Sequence, residues 1–199
     1  MKKILIASNN PGKIREIQAI LADHDVEIVS QSAFEIPEAE ETGLTFVENA
    51  ILKARHAARH SGLPAIADDS GLEVDALGGA PGVYSARYAG VRATDAANNA
   101  KLLDELREVS DGRRGARFRC VMVFLRHAAD PSPLIAQGAW EGAILRESRG
   151  SGGFGYDPLF LVPERGCAAA ELADEEKNHL SHRGKALREL AGMLFAAKR

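Results

Sequence analysis

Residues 4–21, "ILIASNNPGKIREIQAIL", contain the pattern that decides the fold. The apolar run at its start is typical of a buried strand, and the apolar residues that follow Lys13 recur at helical spacing. Between these two segments, Asn9 or Asn10 can cap a helix that has Pro11 in its first turn. The stretch therefore predicts a strand, a polar turn and a helix that packs through one face.

The turn "SNNPGK", residues 8–13, has the character of a phosphate grip, yet it is not a Walker A loop. Such a loop needs G-x-x-x-x-G-K-[ST]. When Gly12 and Lys13 are aligned with its end, Ala7 replaces the first glycine and Ile14 replaces the hydroxyl. A helix start attracts anions and Lys13 adds a full charge, but a turn that only caps its helix is the plain alternative. Both interpretations stay open.

The composition is that of an ordinary globular protein. At 199 residues the chain can bury a substantial core, and its formal charge of -3 gives no basic excess for a duplex nucleic acid. No apolar run approaches the roughly 20 residues that span a membrane, and the chain turns polar too early for a signal peptide. Cys120 and Cys167 form neither a disulfide framework nor a metal-binding spacing, and Cys120 is typical of a packed thiol. We expect a cytoplasmic protein whose partners are neither nucleic acid nor membrane.

Strand and helix patterns alternate in the first part of the chain and strands cluster later, which favours a mixed α/β sheet. A capping box of Thr45 and Glu48 starts a second helix, and Lys53 lies on its polar face. No linker separates independent domains, so we expect one domain, residues 1–199. The other predicted elements are a short strand ending at Asp68 and Asp69, strands at 117–126 and 134–145, the latter broken at Gly138 and Gly142, and a last helix from about Ser181.

Two acidic segments contain candidate ligands for a divalent cation. Mg2+ prefers hard oxygen ligands and often takes only one or two protein carboxylates, with substrate phosphates and water completing its shell. Asp68 and Asp69 should point to opposite faces of an extended strand, so only one faces a given cleft. Their position at a predicted strand end, beside Gly71, favours a ligand site. The acidic run at 38–41 also fits a solvated surface.

The glycine-rich loop "RGSGGFGYDP" contains Phe154 between glycines that let a ligand approach the backbone. An aromatic side chain on such a loop can stack on a nucleobase, or it can fill a hydrophobic gap beneath the loop. Tyr156 is a weaker candidate for the same role. Both interpretations of Phe154 remain open.

Three cationic or titratable side chains, Lys177, His182 and Arg183, gather before and at a predicted helix start. Cations are normally favoured at the opposite end of a helix. Their position makes more sense if an anion or the edge of a base binds there, although a solvated turn is the alternative.

Taken together, these residues resemble the inosine triphosphate pyrophosphatase family, the XTP/dITP diphosphatases. Each motif alone is modest, but five of them follow in order over nearly the whole chain. The five motifs are "SNNPGK", "EETGLTFVENAILKAR", "IADDSGLEVDALGGAPGVYSARYAG", "RGSGGFGYDPLF" and "EKNHLSHRGKAL".

The resemblance implies Mg2+-dependent hydrolysis of a non-canonical purine nucleoside triphosphate, such as dITP, ITP or XTP, to the monophosphate and pyrophosphate. It also implies an elongated mixed α/β fold with flanking helices, two lobes around a central cleft, and a homodimer. Asp69 is implied as proton acceptor and metal ligand, with Lys53 assisting catalysis. Glu40 and Glu41 are implied as further metal ligands, although Glu38 and Asp68 are also candidates. The implied substrate-binding residues are Ser8, Asn9, Asn10, Pro11, Gly12, Lys13, Ser70, Phe154, Gly155, Tyr156, Asp157, Lys177, His182 and Arg183.

Two alternatives are weighed against this function. The same scaffold could act on other modified nucleotides, such as a pyrimidine or a methylated base. A regulatory module that binds a nucleotide without turnover is a different class, and Asp69 beside two lysines argues against it. The sequence contains no nucleophile elbow or Ser-His-Asp order of a covalent hydrolase.

Overall fold

The structure, a computed structural model, describes residues 2–196. Its strands are β1 (Lys2–Ile6), β2 (Val26–Ser30), β3 (Ala65–Val74), β4 (Gly115–Leu125), β5 (Leu134–Ile144), β6 (Phe160–Val162) and β7 (Cys167–Ala168). Its α-helices are α1 (Pro11–Leu21), α2 (Phe46–Ser61), α3 (Asp95–Glu105), α4 (Asp174–Leu180) and α5 (His182–Phe195), and short 3-10 turns connect several of these elements.

The seven strands form one sheet in the order β2-β1-β3-β4-β5-β6-β7. β1 pairs in parallel with β2 and β3, whereas β6 pairs antiparallel with β5 and β7. The prediction of a mixed sheet with flanking helices is therefore confirmed. Among residues 2–196, no helix is both long enough and apolar enough to cross a membrane.

The chain folds as two compact units. The first comprises the residues up to Asp69, Cys120–Gly138 and the residues from His182 onward, and the second comprises Ser70–Arg119 and Ala139–Ser181. Each unit has apolar clusters of its own, so each can be described by itself.

The first unit buries both faces of its strands. Side chains alternate along β1, so Ile4 and Ile6 pack in a cluster with α1 and α5, whereas Leu5 and Ala7 pack in another with α2. The side chains of α2 that face the sheet are alanines, which let the helix lie close to the strands. These alanines are Ala50, Ala54, Ala57 and Ala58.

The second unit has an aromatic core. The ring of Phe160 lies 4.6 Å from that of Phe118 and 5.2 Å from that of Trp140, measured between centroids, which are normal distances for packed aromatic pairs. Leu72 and Leu102 are fully buried in the same cluster and attach β3 and α3 to it.

The predicted end of β3 at the two aspartates is wrong, because the strand continues through Gly71 to Val74. Leu72 and Val74 alternate with the partly exposed Glu73, which is a strand pattern with one buried face. The neighbouring strand β1 does end in this region, since Ile6 is its last residue and pairs with Ile66. Asp68 and Asp69 therefore lie within β3, at the level of the sheet just beyond the carboxyl end of β1.

The predicted breaks at Gly138 and Gly142 are also wrong, because β5 is continuous. Both glycines make room for a neighbouring backbone. A Cβ at Gly138 would lie 2.0 Å from the carbonyl oxygen of His182, and one at Gly142 would lie 2.4 Å from that of Leu161. Gly138 therefore allows the first turn of α5 to approach β5.

The Gly138→Ala variant should be less stable by about 1–3 kcal/mol, because the added methyl group must displace backbone rather than a flexible side chain. The matched control is Gly192→Ala, since a Cβ there meets open space within α5. That control should be unchanged or about 0.5–1 kcal/mol more stable. Urea unfolding of both variants checks this, and equal stabilities would contradict the close approach.

Candidate active site

The turn at residues 8–13 is a capping structure. Asn10 is the N-cap of α1, and its Oδ1 accepts hydrogen bonds from the backbone N–H groups of Gly12 at 2.9 Å and Lys13 at 3.1 Å. Ser8 Oγ accepts from the backbone N–H of Asn10 at 3.1 Å. These amides are satisfied within the turn, so any grip on an anion depends on the side chains and the helix dipole. Asn9 and Pro11 are exposed.

The turn leads from β1 toward the aspartates of β3. The backbone N–H of Ala7 donates to the carbonyl of Ile66 at 2.8 Å, which extends the parallel register by one step. Lys13, in the first turn of α1, then forms an ion pair with Asp68. The side chain of Asp68 is fully buried, while that of Lys13 keeps 17% exposure.

Asp68 is the centre of a buried polar cluster. Its Oδ2 accepts hydrogen bonds from Arg183 Nε at 3.0 Å and from the Cys120 thiol at 3.0 Å. Arg183 Nη1 in turn lies 2.5 Å from Glu16 Oε2. Four charged side chains therefore link the first turns of α1 and α5 to the middle of β3.

Burial alone would raise the pKa of the Asp68 carboxyl group, but the positive charges of Arg183 and Lys13 outweigh burial and hold the pKa well below its usual range. For Arg183, burial would lower the pKa of the guanidinium, yet Asp68 and Glu16 raise it. Both groups are thus held in their charged forms, as a buried ion pair requires.

Asp69 makes its contacts on the opposite side of the strand, with α2. Lys53 Nζ lies 2.5 Å from Asp69 Oδ1 and 3.1 Å from Glu41 Oε1. The prediction that Asp68 and Asp69 point to opposite faces is therefore confirmed.

Burial raises the pKa of the Asp69 carboxyl group above its ordinary value, and the charge of Lys53 offsets only part of this effect. Burial would lower the pKa of Lys53, but attraction from Asp69 and Glu41 raises it. Asp69 is consequently a stronger base than an exposed aspartate, held beside an ammonium group that stays protonated.

The acidic segment at 38–41 is attached to this site through its first and last residues. Glu38 accepts a hydrogen bond from Asn9 Nδ2 at 3.3 Å, and Glu41 pairs with Lys53, whereas Glu40 is exposed. The segment is not simply a solvated surface, because two of its carboxylates are bound to the turn and to α2.

The donors for a metal remain a prediction. Within residues 2–196, no group of three or more His, Cys, Asp and Glu side chains has the spacing of a metal site. Asp69 and Glu41 do converge on one ammonium group, and two carboxylates are a common protein contribution to a Mg2+ shell. Their chemistry fits Mg2+, whereas Glu40 has no such arrangement with Asp69 among the described contacts.

The start of α5 is buried rather than solvated. His182 and Arg183 are 4% and 2% exposed, which rules out the interpretation of this segment as a solvated turn. The guanidinium of Arg183 binds two carboxylates, so its direct contribution to this part of the molecule is to hold the start of α5 against α1 and β3.

In the second unit, Asp157 organises the glycine-rich loop. Its Oδ2 accepts from the backbone N–H of Phe154 at 2.9 Å and from Lys177 Nζ at 2.7 Å. Lys177 Nζ also lies 4.6 Å from the centre of the Phe154 ring, a cation–π distance. Phe154 is half-buried, so it is neither fully exposed nor a plug in the core.

Two other predicted residues of this unit differ from expectation. Tyr156 is buried and its hydroxyl donates to the carbonyl of Ser85 at 2.8 Å, so its side chain is structural. Lys177 precedes α5, as predicted, but it lies within α4, a helix that was not predicted from the sequence. In the last turn of α4 a cation is favoured by the helix dipole. Ser70 is half-buried in β3.

Two residues of the buried cluster have functions that were not predicted from the sequence. Asp68 was considered only as a metal ligand, and Glu16 was not considered. A usable signal was the spacing of Lys13 and Glu16, which places both side chains on one face of α1. Arg183, which binds both Asp68 and Glu16, is 167 residues away from Glu16 in the sequence, and no local pattern connects them.

Asp68→Asn should destabilise the protein by about 3–5 kcal/mol at pH 7, because it removes the buried negative charge that Arg183 and Lys13 share. The folded-state pKa of Asp68 is lowered, so its contribution is complete above the unfolded-state value near pH 4 and is lost as pH falls toward the folded-state value. The stability difference between the unsubstituted protein and this variant should therefore shrink below about pH 4.

Urea unfolding as a function of pH measures this difference. The matched control, Asp23→Asn, changes an exposed aspartate of the same unit and should have little effect. An Asp68→Asn variant as stable as this control at pH 7 would contradict the role of the buried ion cluster.

Comparison with known proteins identifies the family. A model of the Ham1 family matches residues 4–193. Proteins named dITP/XTP pyrophosphatase are similar: one from Methylococcus capsulatus is 65% identical and covers 98% of this chain and 97% of its own, and one from Escherichia coli O157:H7 is 59% identical and covers 98% of both. The solved structure of a HAM1 protein from Coxiella burnetii has a TM-score of 0.91 at 52% identity, covering 99% of this chain and 100% of its own. The resemblance in the motifs is confirmed, and the chain belongs to the Ham1 family.

Proposed function

We propose that this protein hydrolyses non-canonical purine nucleoside triphosphates, such as dITP, ITP and XTP, to the monophosphate and pyrophosphate, and that the reaction requires Mg2+. The observation that carries the proposal is the paired arrangement on β3, where Asp68 holds Lys13 and the adjacent Asp69 holds Lys53. The names of the relatives support the substrate class.

Asp69 is the proposed proton acceptor. Water must attack the α-phosphorus as pyrophosphate departs, so a base near the water and positive charge near the phosphate oxygens both lower the barrier. The raised pKa of Asp69 strengthens it as a base. Lys53 keeps this carboxylate in place and can stabilise negative charge that develops on the phosphate.

Mg2+, when bound, supplies neutralisation of the triphosphate charge and lowers the pKa of a coordinated water. Asp69 and Glu41 would hold it, since their carboxylates already face a common cation, the Lys53 ammonium. Glu40 remains the further predicted ligand.

Lys13 is the main proposed contact to the triphosphate. Pairing with buried Asp68 restricts the lysine to one position, so less conformational entropy is lost when a phosphate binds. Ser8, Asn9 and Asn10 offer hydroxyl and amide groups on the same turn. The cap formed by Asn10 fixes the turn before any ligand is present.

Selection of the base requires a donor that faces the oxygen at C6 of hypoxanthine or xanthine. A site built to pair with a specific polar group rejects the wrong one by roughly 10⁴ or more. We assign this task to donors around His182 at the start of α5, which Arg183 fixes in place. In the second unit, the proposed nucleoside contacts are Ser70, Phe154, Gly155, Asp157 and Lys177. Tyr156 would contact the nucleoside only through its backbone, because its hydroxyl is bonded to Ser85.

The biological role follows from the substrate. Removing deaminated purine triphosphates would protect DNA and RNA from their incorporation. We further propose, from the resemblance, a single functional domain of residues 1–199 acting as a cytoplasmic homodimer. Cys120 and Cys167 form no disulfide, which is compatible with a reducing compartment.

A substrate panel tests the function directly. With Mg2+, the protein should consume ITP, dITP and XTP at least about 100-fold more efficiently than ATP or GTP, and pyrophosphate should appear. A chelator should abolish turnover and added Mg2+ should restore it. Release of phosphate alone would contradict attack at the α-phosphorus, a preference for another base would favour the alternative pyrophosphatase, and binding without turnover would favour a regulatory module.

Asp69→Asn should lower kcat for ITP by about 100-fold or more, because the amide cannot accept the proton from water. Binding of ITP, measured by calorimetry, should change far less than kcat. Asp104→Asn, an exposed aspartate on α3, provides the control and should retain full activity. If Asp69→Asn stayed active, a different residue would have to be the base.

A further inference from the structure

Two side chains of α3 hold the peptide groups of a single residue in the glycine-rich loop. The backbone N–H of Gly155 donates to Asp95 Oδ2 at 2.7 Å, and the carbonyl of Gly155 accepts from Asn99 Nδ2 at 3.0 Å. Asp95 and Asn99 are four residues apart on one helix, so their side chains lie on the same face. The pair forms a clamp on Gly155, which we call the α3 clamp.

The α3 clamp is significant because it holds the residue next to Phe154. Gly155 has φ +63°, a left-handed conformation that glycine adopts without strain, and it directly follows Phe154. On its other side, the loop is held by Asp157, which binds the backbone N–H of Phe154 and the ammonium of Lys177. The backbone that carries the Phe154 ring is therefore fixed by hydrogen bonds at two points.

A cavity of about 500 Å³ separates part of the loop from α3. It is lined by residues of α3, by the loop glycines 150, 152, 153 and 155, and by Phe154. A loop beside such a cavity has room to move. Within the described chain, the two hydrogen bonds of the α3 clamp bridge this space, so they set the distance between the loop and the helix.

Asn99 is well suited to test the clamp. Its buried Oδ1 has no hydrogen-bond partner among the described residues, and its Nδ2 donates to Gly155. Changing this amide therefore removes the loop contact without breaking another hydrogen bond of the same side chain. Asp95 is less simple, because it also occupies the first turn of α3, where its negative charge favours the helix.

We propose that Asp95 and Asn99 are positioning residues for nucleotide binding, which act through Gly155 to hold Phe154 in the orientation that stacks on the base. The inference rests on the proposed function, because it assumes that Phe154 contacts the base. Stacking requires the ring at a defined position, and displacements of about 1 Å can cost large factors in binding or rate. Neither Asp95 nor Asn99 needs to touch the substrate.

The decisive variants are one isosteric change, at Asn99, and one truncation, at Asp95. Asn99→Asp replaces the donor with a carboxylate that cannot donate to the Gly155 carbonyl, and Asp95→Ala removes the acceptor for its N–H. Each should raise KM for ITP by about tenfold, with kcat changed much less. Asp95→Asn keeps an acceptor oxygen and should restore a KM close to that of the unsubstituted protein. Asp104→Ala changes an exposed aspartate of α3 and should alter neither constant.

Hydrogen exchange provides a readout that needs no substrate. The peptide that contains Gly155 should exchange faster in Asn99→Asp and Asp95→Ala than in the unsubstituted protein and in Asp104→Ala. Unchanged exchange together with an unchanged KM would overturn the proposal, and so would a fall in kcat and stability at constant KM. If the unsubstituted protein failed to hydrolyse ITP, the proposed function would fail, while the exchange experiment would still test the clamp.

Discussion

The ion cluster around Asp68 is the interaction on which the first unit depends. A fully buried carboxylate is costly unless it is paired, and here Lys13 and Arg183 bind it from two different helices. The carboxylate of Asp68 can stay ionised within β3 only if the starts of α1 and α5 bring Lys13 and Arg183 against it. Gly138 contributes to the same geometry, because the absence of its side chain lets α5 start close to β5. A charge in the middle of a strand thereby sets the positions of two helix starts.

Asp69 shows how one residue along the same strand acquires a different chemistry. Alternation places it toward α2, where it is buried and meets one lysine. Two cations outweigh burial at Asp68 and lower its pKa, whereas burial outweighs Lys53 at Asp69 and raises its pKa. The dipeptide therefore combines a structural anion of lowered pKa with a carboxylate suited to accept a proton.

The sequence predicted the structural features that depend only on residues close together in the chain. The Asn10 cap and the Thr45 and Glu48 capping box depend on residues within a few positions, and both are confirmed. The extent of β3 and the continuity of β5 depend on distant neighbours, such as the carbonyl of His182 beside Gly138, and their predictions were wrong. The pairing of Arg183 could not be predicted for the same reason, because both of its carboxylate partners are distant in the sequence. The family motifs identified candidate residues but not which of them are structural.

The two adjacent aspartates have pKa values shifted in opposite directions. The most direct measurement is a pH titration of the ¹³C carboxyl chemical shifts of Asp68 and Asp69. Asp69 should titrate above the ordinary aspartate value of 3.8, and Asp68 should remain ionised well below it. If Asp68 titrated at or above 3.8 while Asp69 titrated below it, the division of roles between them would be contradicted.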